Sequence, residues 1–194
     1  MDHKVLKALI LDEFQKMAYL RAEFPMLTGW GCPTDTVHSM GLNYLTALGR
    51  HFGFWAISEY PVPNLTNLRV ARAVRSDVAW FARPEGEVKL LCEFERYDPS
   101  AGGKIKLREK VENLVIAHHQ LSRLQPRILL LIVWTTAGVA ITGLTELVFK
   151  VRQGFWDNKG NKIPSLPQDS EFIAASFVFS QSSKGLLFFE EVLL

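Results

Sequence analysis

Hydrophobic positions follow helical and strand-like periodicities in turn along the chain, and their order predicts a mixed α/β fold. In four segments apolar residues recur every three or four positions, which is typical of amphipathic helices. In six others they alternate or run continuously and are rich in Val, Ile, Phe and Trp, which predicts strands. The predicted helices are 5–20, 35–49, 104–123 and 144–153, and the predicted strands are 54–62, 72–83, 87–96, 128–134, 172–180 and 185–193.

Turn-forming residues mark the ends of these segments. Pro84, Glu85 and Gly86 form a three-residue hairpin loop, and either Thr34 or Asp35 is expected to cap the second helix. The order ααβββαβαββ predicts a central mixed β-sheet flanked by helices. At about 100–200 residues per domain, we expect one domain. Its predicted parts are an N-terminal helical part (1–50), a core (54–134) and a C-terminal helix and hairpin (135–194).

The composition indicates a folded protein with balanced charge. A hydrophobic content of 48% and a charged content of 22% exclude a disordered or collagen-like chain. The net charge of +2 neither demands nor excludes a nucleic-acid partner.

Cys32 and Cys92 are too few for a disulfide framework, so we expect free thiols in the reducing cytoplasm. The uncharged stretch 128–145 begins with only seven consecutive apolar residues, so no membrane span is predicted.

Three carboxylates are predicted to converge on the hairpin of the second and third strands. Side chains alternate along a strand, so Glu93 and Glu95 share one face. Pairing of Arg83 with Glu87 across the loop places Asp77 opposite Glu93. Carboxylates that cluster among apolar residues repel each other and lose hydration, and a hard divalent cation relieves both costs. The alternative is a solvated strand face whose carboxylates pair with nearby arginines.

The spacing of these acids resembles a known family of nucleases. Asp77 is followed after sixteen positions by Glu93-Phe94-Glu95, and Glu59 lies in the preceding strand. This arrangement resembles the PD-(D/E)XK nuclease superfamily over about half of the chain, residues 35–134. The resemblance implies a restriction endonuclease-like αβββαβ core, here with an extra C-terminal β-hairpin. It also implies a nuclease that hydrolyses phosphodiester bonds in DNA with Mg²⁺ or Mn²⁺.

The resemblance also implies a role for each residue of the motif. Asp77 and Glu93 would hold the metal ion, with the main-chain carbonyl of Phe94 as a further ligand. Glu95 would orient or deprotonate the attacking water, or complete the metal site. Glu59 would bind a second cation or orient a ligand.

One departure from the family pattern concerns its lysine. Glu95 stands where the superfamily usually has Lys. Some members of the superfamily supply this lysine from the following helix, where Lys106 and Lys110 lie one turn apart, and Lys110 is the predicted catalytic lysine. The departure leaves a second function open, a non-catalytic nuclease-fold protein that acts as a nucleic-acid-binding or regulatory subunit. A third is a cytosolic domain in which the carboxylates are surface charges.

Basic residues flank the acidic hairpin on both sides. Arg72 and Arg75 precede Asp77, and Lys104 and Lys106 follow Glu95. We expect them to contact DNA phosphates, the alternative being an ordinary solvated surface.

Two adjacent histidines in the predicted helix 104–123 are considered as metal ligands. Neighbouring helical positions point about 100° apart, so His118 and His119 are not expected to bind one metal ion. His118 is predicted to border the core and His119 to face solvent.

Two phenylalanines of the predicted C-terminal hairpin raise the question of a homodimer. Phe188 and Phe189 must point to opposite faces of their strand, so one of them needs a cover outside the main core. An intramolecular helix is the expected cover. A homodimer is the alternative, since cutting both strands of a duplex with one metal site per chain usually needs two chains.

Overall fold

The computed structural model describes residues 1–66, 68, 73–121, 124–157 and 160–194. Within these ranges, a seven-stranded mixed sheet lies between two layers of helices, which confirms the predicted α/β class. The helices are α1 (His3–Lys16), α2 (Ala18–Glu23), α3 (Pro25–Thr28), α4 (Val37–His51), α5 (Ala101–Gln120) and α6 (Leu144–Gln153). The strands are β1 (Cys32–Pro33), β2 (Trp55–Pro61), β3 (Arg75–Phe81), β4 (Val88–Arg96), β5 (Ile128–Thr136), β6 (Phe155–Trp156), β7 (Lys162–Ile163), β8 (Glu171–Gln181) and β9 (Leu186–Leu193).

The sheet combines a parallel centre with antiparallel flanks. Its strand order is β1-β9-β8-β5-β4-β3-β2. Strands β2, β3 and β4 form an antiparallel meander, β5 is parallel to β4 and β8, and β9 runs antiparallel to β8. The central strand β5 is buried from Ile128 to Thr135 because helices cover both of its faces, and its sequence is accordingly a continuous apolar run.

Two apolar cores lie on the two faces of the sheet. On one face α1 and α4 pack against the rings of Trp80, Phe94 and Phe177. On the other face α5 and α6 pack against Leu91 and Leu131. Because side chains alternate along β4, its acidic residues lie on the α5 face while Phe94 lies on the α4 face.

The N-terminal helix is interrupted where the sequence pattern predicts one helix over 5–20. Met17 adopts left-handed backbone angles (φ 53°) and separates α1 from α2. The buried carboxylate of Glu13 accepts hydrogen bonds from the main-chain nitrogens of Tyr19 (3.1 Å) and Leu20 (3.0 Å) and from the hydroxyl of Tyr44 (3.2 Å). These bonds satisfy the first turn of α2, so an acidic residue in the apolar stripe stabilises the break.

Other helix and strand boundaries also differ from the prediction. A short 3-10 helix, Thr34–Thr36, precedes α4, and Thr36 occupies the N-cap position in place of Thr34 or Asp35. Helix α5 begins one turn earlier than predicted because the hydroxyl of Ser100 accepts a hydrogen bond from Gly103 N at 3.1 Å. The predicted start of the second strand at position 72 lies outside the described residues.

The register of the acidic hairpin is as predicted beside the acids but not at the loop. Ala82, not Arg83, pairs with Glu87, and its main-chain nitrogen donates to the Glu87 carbonyl at 2.8 Å. A register shift farther along the hairpin compensates, so that Val78 pairs with Cys92. The acidic residues next to this pair therefore lie on neighbouring positions of adjacent strands, as the sequence predicts.

The uncharged stretch 128–145 forms the buried strand β5, the turn that follows it and the first two residues of α6. Across the described part of the chain, no helix has the length and apolar character needed to cross a membrane. Cys32 and Cys92 are free thiols, as predicted, and both are buried.

The predicted C-terminal hairpin is present as β8 and β9. Phe189 is buried in the core on the α4 face. Phe188 packs closely on the backbone of Gly31, since a Cβ placed there would lie 2.8 Å from its ring. Both rings thus contact other parts of the same chain, and the homodimer stays a prediction.

Gly41 allows α4 to lie close against the sheet behind the acidic residues. A Cβ at this position would lie 2.4 Å from the ring of Phe94. We therefore expect Gly41→Ala to lower the free energy of unfolding, measured by urea denaturation, by about 1–3 kcal/mol. Gly102→Ala in the first turn of α5 is the control, because its Cβ would meet no atom closer than 3.9 Å. Equal losses in the two variants would contradict the packing argument.

Candidate metal centre

Three of the predicted acidic residues, Glu59, Asp77 and Glu95, line a cleft at the end of the meander, and Glu93 lies buried behind them. The cleft has a volume of about 620 Å³ and is formed by the start of α4, strands β2 and β3, the ends of β4 and β5, and helix α5. The side chains that define its chemistry are Asp35, His38, Glu59, Asp77, Glu95 and Lys110.

Asp77 and Glu93 share one ammonium group. Lys110 Nζ lies 2.6 Å from Oε2 of Glu93 and 3.2 Å from Oδ1 of Asp77. The other oxygen of Asp77, Oδ2, accepts a hydrogen bond from the main-chain nitrogen of Phe94 at 2.9 Å. Strands β3 and β4 supply the two acids and α5 supplies the lysine, so crossing of the sheet by this helix creates the cluster.

Glu95 is the third carboxylate of the cluster and contacts both candidate lysines. Lys106 Nζ donates to Oε1 of Glu95 at 2.8 Å, and Lys110 Nζ lies 3.9 Å from Oε2. Positions four apart on a helix share one face, which explains why both lysines reach the same strand. The structure thus brings together all three predicted carboxylates of the hairpin and both lysines.

The cluster holds more negative than positive charge around Glu93. Burial raises the pKa of Glu93 well above its ordinary value, the neighbouring carboxylate of Asp77 raises it further, and Lys110 only partly offsets them. Burial alone lowers the pKa of Lys110, but the attraction of Glu93 and Asp77 is stronger and raises it above its ordinary value. The lysine therefore stays charged, and Glu93 is the group on which a proton relieves the excess negative charge.

One oxygen of Glu93 lacks a hydrogen-bond donor. The residue is 0% exposed, and within the described residues its Oε1 atom has no hydrogen-bond partner. A buried acceptor without a donor is costly, and either a proton or a divalent cation on this oxygen would remove that cost. Mg²⁺ and Mn²⁺ prefer carboxylate oxygens, and the donors of Glu93 and Asp77 fit them.

A second group of side chains that could hold a metal ion includes a histidine. Ligand atoms of His38, Glu59 and Asp77 all lie within 4.8 Å of one another. Glu59 has left-handed backbone angles (φ 56°), and Arg75 Nε lies 2.7 Å from its Oε2. Strained non-glycine residues of this kind cluster at functional sites. His38 was missed because the helical pattern of 35–49 does not distinguish it, and only the approach of α4 to β2 and β3 places it there.

Some predicted residues are not part of the cleft. Lys104 lines a separate cavity of about 370 Å³ with Thr142 and Glu146. Arg72 lies outside the described residues. The ring of Phe94 is in the core, and the proposed role of its carbonyl stays a prediction.

The paired histidines of α5 lie in different surroundings. His118 is buried, as predicted, and its Nδ1 lies 3.1 Å from the carbonyl of Pro126. Burial, with a smaller contribution from His119, lowers the pKa of His118 to about 4. His119 Nε2 lies 3.0 Å from the carbonyl of Pro164. Each ring therefore has its own backbone partner.

No family model, curated protein or solved structure matches this chain. The resemblance to the PD-(D/E)XK superfamily therefore stays a prediction from the residues. What the chain does has to be inferred from the chemistry of the cleft.

Proposed function

We propose that this protein is a metal-dependent nuclease that hydrolyses phosphodiester bonds in DNA and that its meander, α5 and β5 form a restriction endonuclease-like core. The observation that carries the proposal is the contact of Lys110 with Asp77 and Glu93 beside Glu95 on the wall of an open cleft. A lysine from α5 supplies the ammonium group that position 95 lacks. Buried carboxylates with an ammonium group beside them are the parts needed to bind a divalent cation and a phosphate together.

Each residue of the site would have a separate role in hydrolysis. Asp77 and Glu93 would hold Mg²⁺ or Mn²⁺, which when bound polarises the scissile phosphate and lowers the pKa of a water molecule. Lys110, displaced from between the two acids, would neutralise charge on the phosphate oxygens. Glu95 would accept the proton of the attacking water at Oε2, because Lys106 and the main-chain nitrogen of Arg96 hold its Oε1.

We expect two cations at this cleft to contact the DNA backbone. Arg75 is exposed beside Glu59, and Lys106 lines the cleft next to Glu95. Phosphate contacts of this kind position the substrate without reading its sequence. Lys104 faces a different cavity and is not included in this proposal.

A plasmid assay tests the proposal directly. Supercoiled plasmid incubated with the protein is expected to be nicked in Mg²⁺ or Mn²⁺ and to stay supercoiled in EDTA. Supercoiled DNA is suitable because one broken bond per molecule changes its mobility. Intact supercoiled plasmid together with intact single-stranded circular DNA, in both metals, would contradict the nuclease.

A specific observation supports a second function, a non-catalytic DNA-binding or regulatory protein on the same fold. Lys110 Nζ lies between the two acids that would hold the metal, at 2.6 Å and 3.2 Å. An ammonium in this position neutralises part of the cluster without a metal ion. Calorimetry with Mn²⁺ separates the two functions, since the non-catalytic protein would show no binding that depends on Asp77 and Glu93.

The raised pKa of Glu93 makes metal binding depend on pH. A proton competes with a cation for Glu93 because burial and Asp77 raise the pKa of this carboxyl group, so we expect the affinity for Mn²⁺ to rise with pH above the ordinary glutamate range, with release of the competing proton. Calorimetry in buffers of different ionisation enthalpy counts this proton. Glu93→Gln is expected to bind Mn²⁺ weakly and without this pH dependence. Wild-type affinity that does not change with pH would contradict the assignment of the proton to Glu93.

A further inference from the structure

An exposed apolar stripe runs along β2 toward the cleft. Trp55 is 46% exposed and Ile57 is 42% exposed, although both belong to a regular strand. Tyr60 and Phe81 continue the surface as partly buried rings, with centroids 5.2 Å apart. We call these four residues the β2 stripe.

Arginines lie at both ends of the β2 stripe. The guanidinium of Arg83 lies over the ring of Trp55, 5.9 Å from its centroid, and donates to the carbonyl of Phe54 at 3.1 Å. Among the described residues Arg83 has no carboxylate partner. At the other end Arg75 contacts Glu59. Arg83 therefore supplies a cation without a carboxylate partner at one end of the stripe, and at the other end Glu59 balances the charge of the exposed Arg75.

The β2 stripe is continuous with the cleft. Glu59 lines the cleft and lies between Ile57 and Tyr60 in the same strand. Trp55 is four residues from Glu59, or about 13 Å along a strand. In the described sheet β2 is an edge strand that pairs only with β3, and the side chains of Trp55 and Ile57 are exposed.

We propose that the β2 stripe binds single-stranded DNA and leads it into the cleft. A base would stack on Trp55, while Arg83 and Arg75 would contact phosphates on either side. A duplex keeps its bases stacked on one another, so it has no free base to place on the ring. The inference rests on the proposed nuclease function and defines its substrate class as single-stranded DNA or an unpaired strand beside a duplex.

A binding experiment with matched tryptophan variants tests the inference. Anisotropy of a labelled single-stranded oligonucleotide in EDTA measures affinity without metal-dependent cleavage. We expect Trp55→Ala to weaken binding about tenfold or more and Trp55→Phe to retain most of it, because a ring still stacks. Trp30→Ala is the control, since Trp30 is 71% exposed and lies outside the stripe. Binding of a blunt duplex is expected to be weaker and unaffected by Trp55→Ala.

The possible outcomes distinguish failure of this inference from failure of the nuclease proposal. Wild-type affinity in Trp55→Ala, or a preference of the wild type for duplex, overturns the stripe while plasmid cleavage still supports the nuclease. Binding that depends on Trp55 without cleavage in any metal supports the stripe and contradicts catalysis. Light scattering that shows a dimer dissociated by Trp55→Ala would assign the stripe to a second copy of the chain and overturn the inference.

Discussion

Asp77→Asn is expected to reduce metal-dependent cleavage of DNA by about 10³-fold or more. Asp77 is the residue on which the cluster converges: its oxygens contact Lys110, accept from the nitrogen of Phe94 and lie near His38 and Glu59. Asparagine keeps the shape of the side chain and one acceptor oxygen, so the hydrogen bond to β4 is retained. It loses the negative charge that attracts a divalent cation. The rate of plasmid nicking at saturating Mg²⁺ measures the effect.

The control for this variant is Asp12→Asn on the surface of α1. Asp12 is exposed and pairs with Lys16 one helical turn away. We expect it to cleave at the wild-type rate. Wild-type cleavage by Asp77→Asn, with an unchanged melting temperature, would place the active site elsewhere.

Lys110→Met is expected to lower the free energy of unfolding by about 3–5 kcal/mol. Lys110 is the ammonium group in contact with both Asp77 and Glu93, and Glu93 is completely buried. Methionine fills similar volume but leaves two carboxylates facing each other without a cation. Urea denaturation near neutral pH measures the loss. Lys16→Met is the control, because its exposed pair with Asp12 contributes about 0.5 kcal/mol or less.

The effect of Lys110→Met has a defined pH dependence. The folded-state pKa of Glu93 is raised, so its contribution to stability is complete below the ordinary glutamate pKa and is lost as the pH rises through the folded value. Without the ammonium group of Lys110, ionisation of Glu93 lowers the free energy of unfolding further. The destabilisation should therefore be larger in alkaline than in acidic buffer. Glu93→Gln added to Lys110→Met should restore part of the stability. A loss that is independent of pH and of Glu93 would point to packing by the lysine stem.

The carboxylate face could be predicted from the sequence because strand periodicity is local. Alternation alone places Glu93 and Glu95 on one face, and it holds in β4 as observed. Their neighbour Asp77 was predicted from a loop pairing that is wrong by one residue. A register shift in the hairpin corrects this difference before the acids are reached, and no local pattern in the sequence indicates that shift.

The N-terminal helices are a case in which the apolar periodicity predicts one helix and the structure has two. The apolar spacing of 5–20 fits one helix, yet the chain breaks at Met17 because the carboxylate of Glu13 binds main-chain nitrogens beyond the break. A hydrogen bond to Tyr44, in a different helix, holds that carboxylate in place. The break therefore depends on a contact between distant parts of the sequence.

The sequence by itself determined the α/β class, the acidic face of β4 and the pair of lysines that share one face of α5, because each follows from a period of two or 3.6 residues. Only the tertiary structure decided that Lys110 lies between Asp77 and Glu93 and that His38 and Glu59 join the same cleft. These contacts depend on how helices cross the sheet, and the crossing is set by packing of whole faces, such as α4 lying close to Phe94 where Gly41 has no side chain.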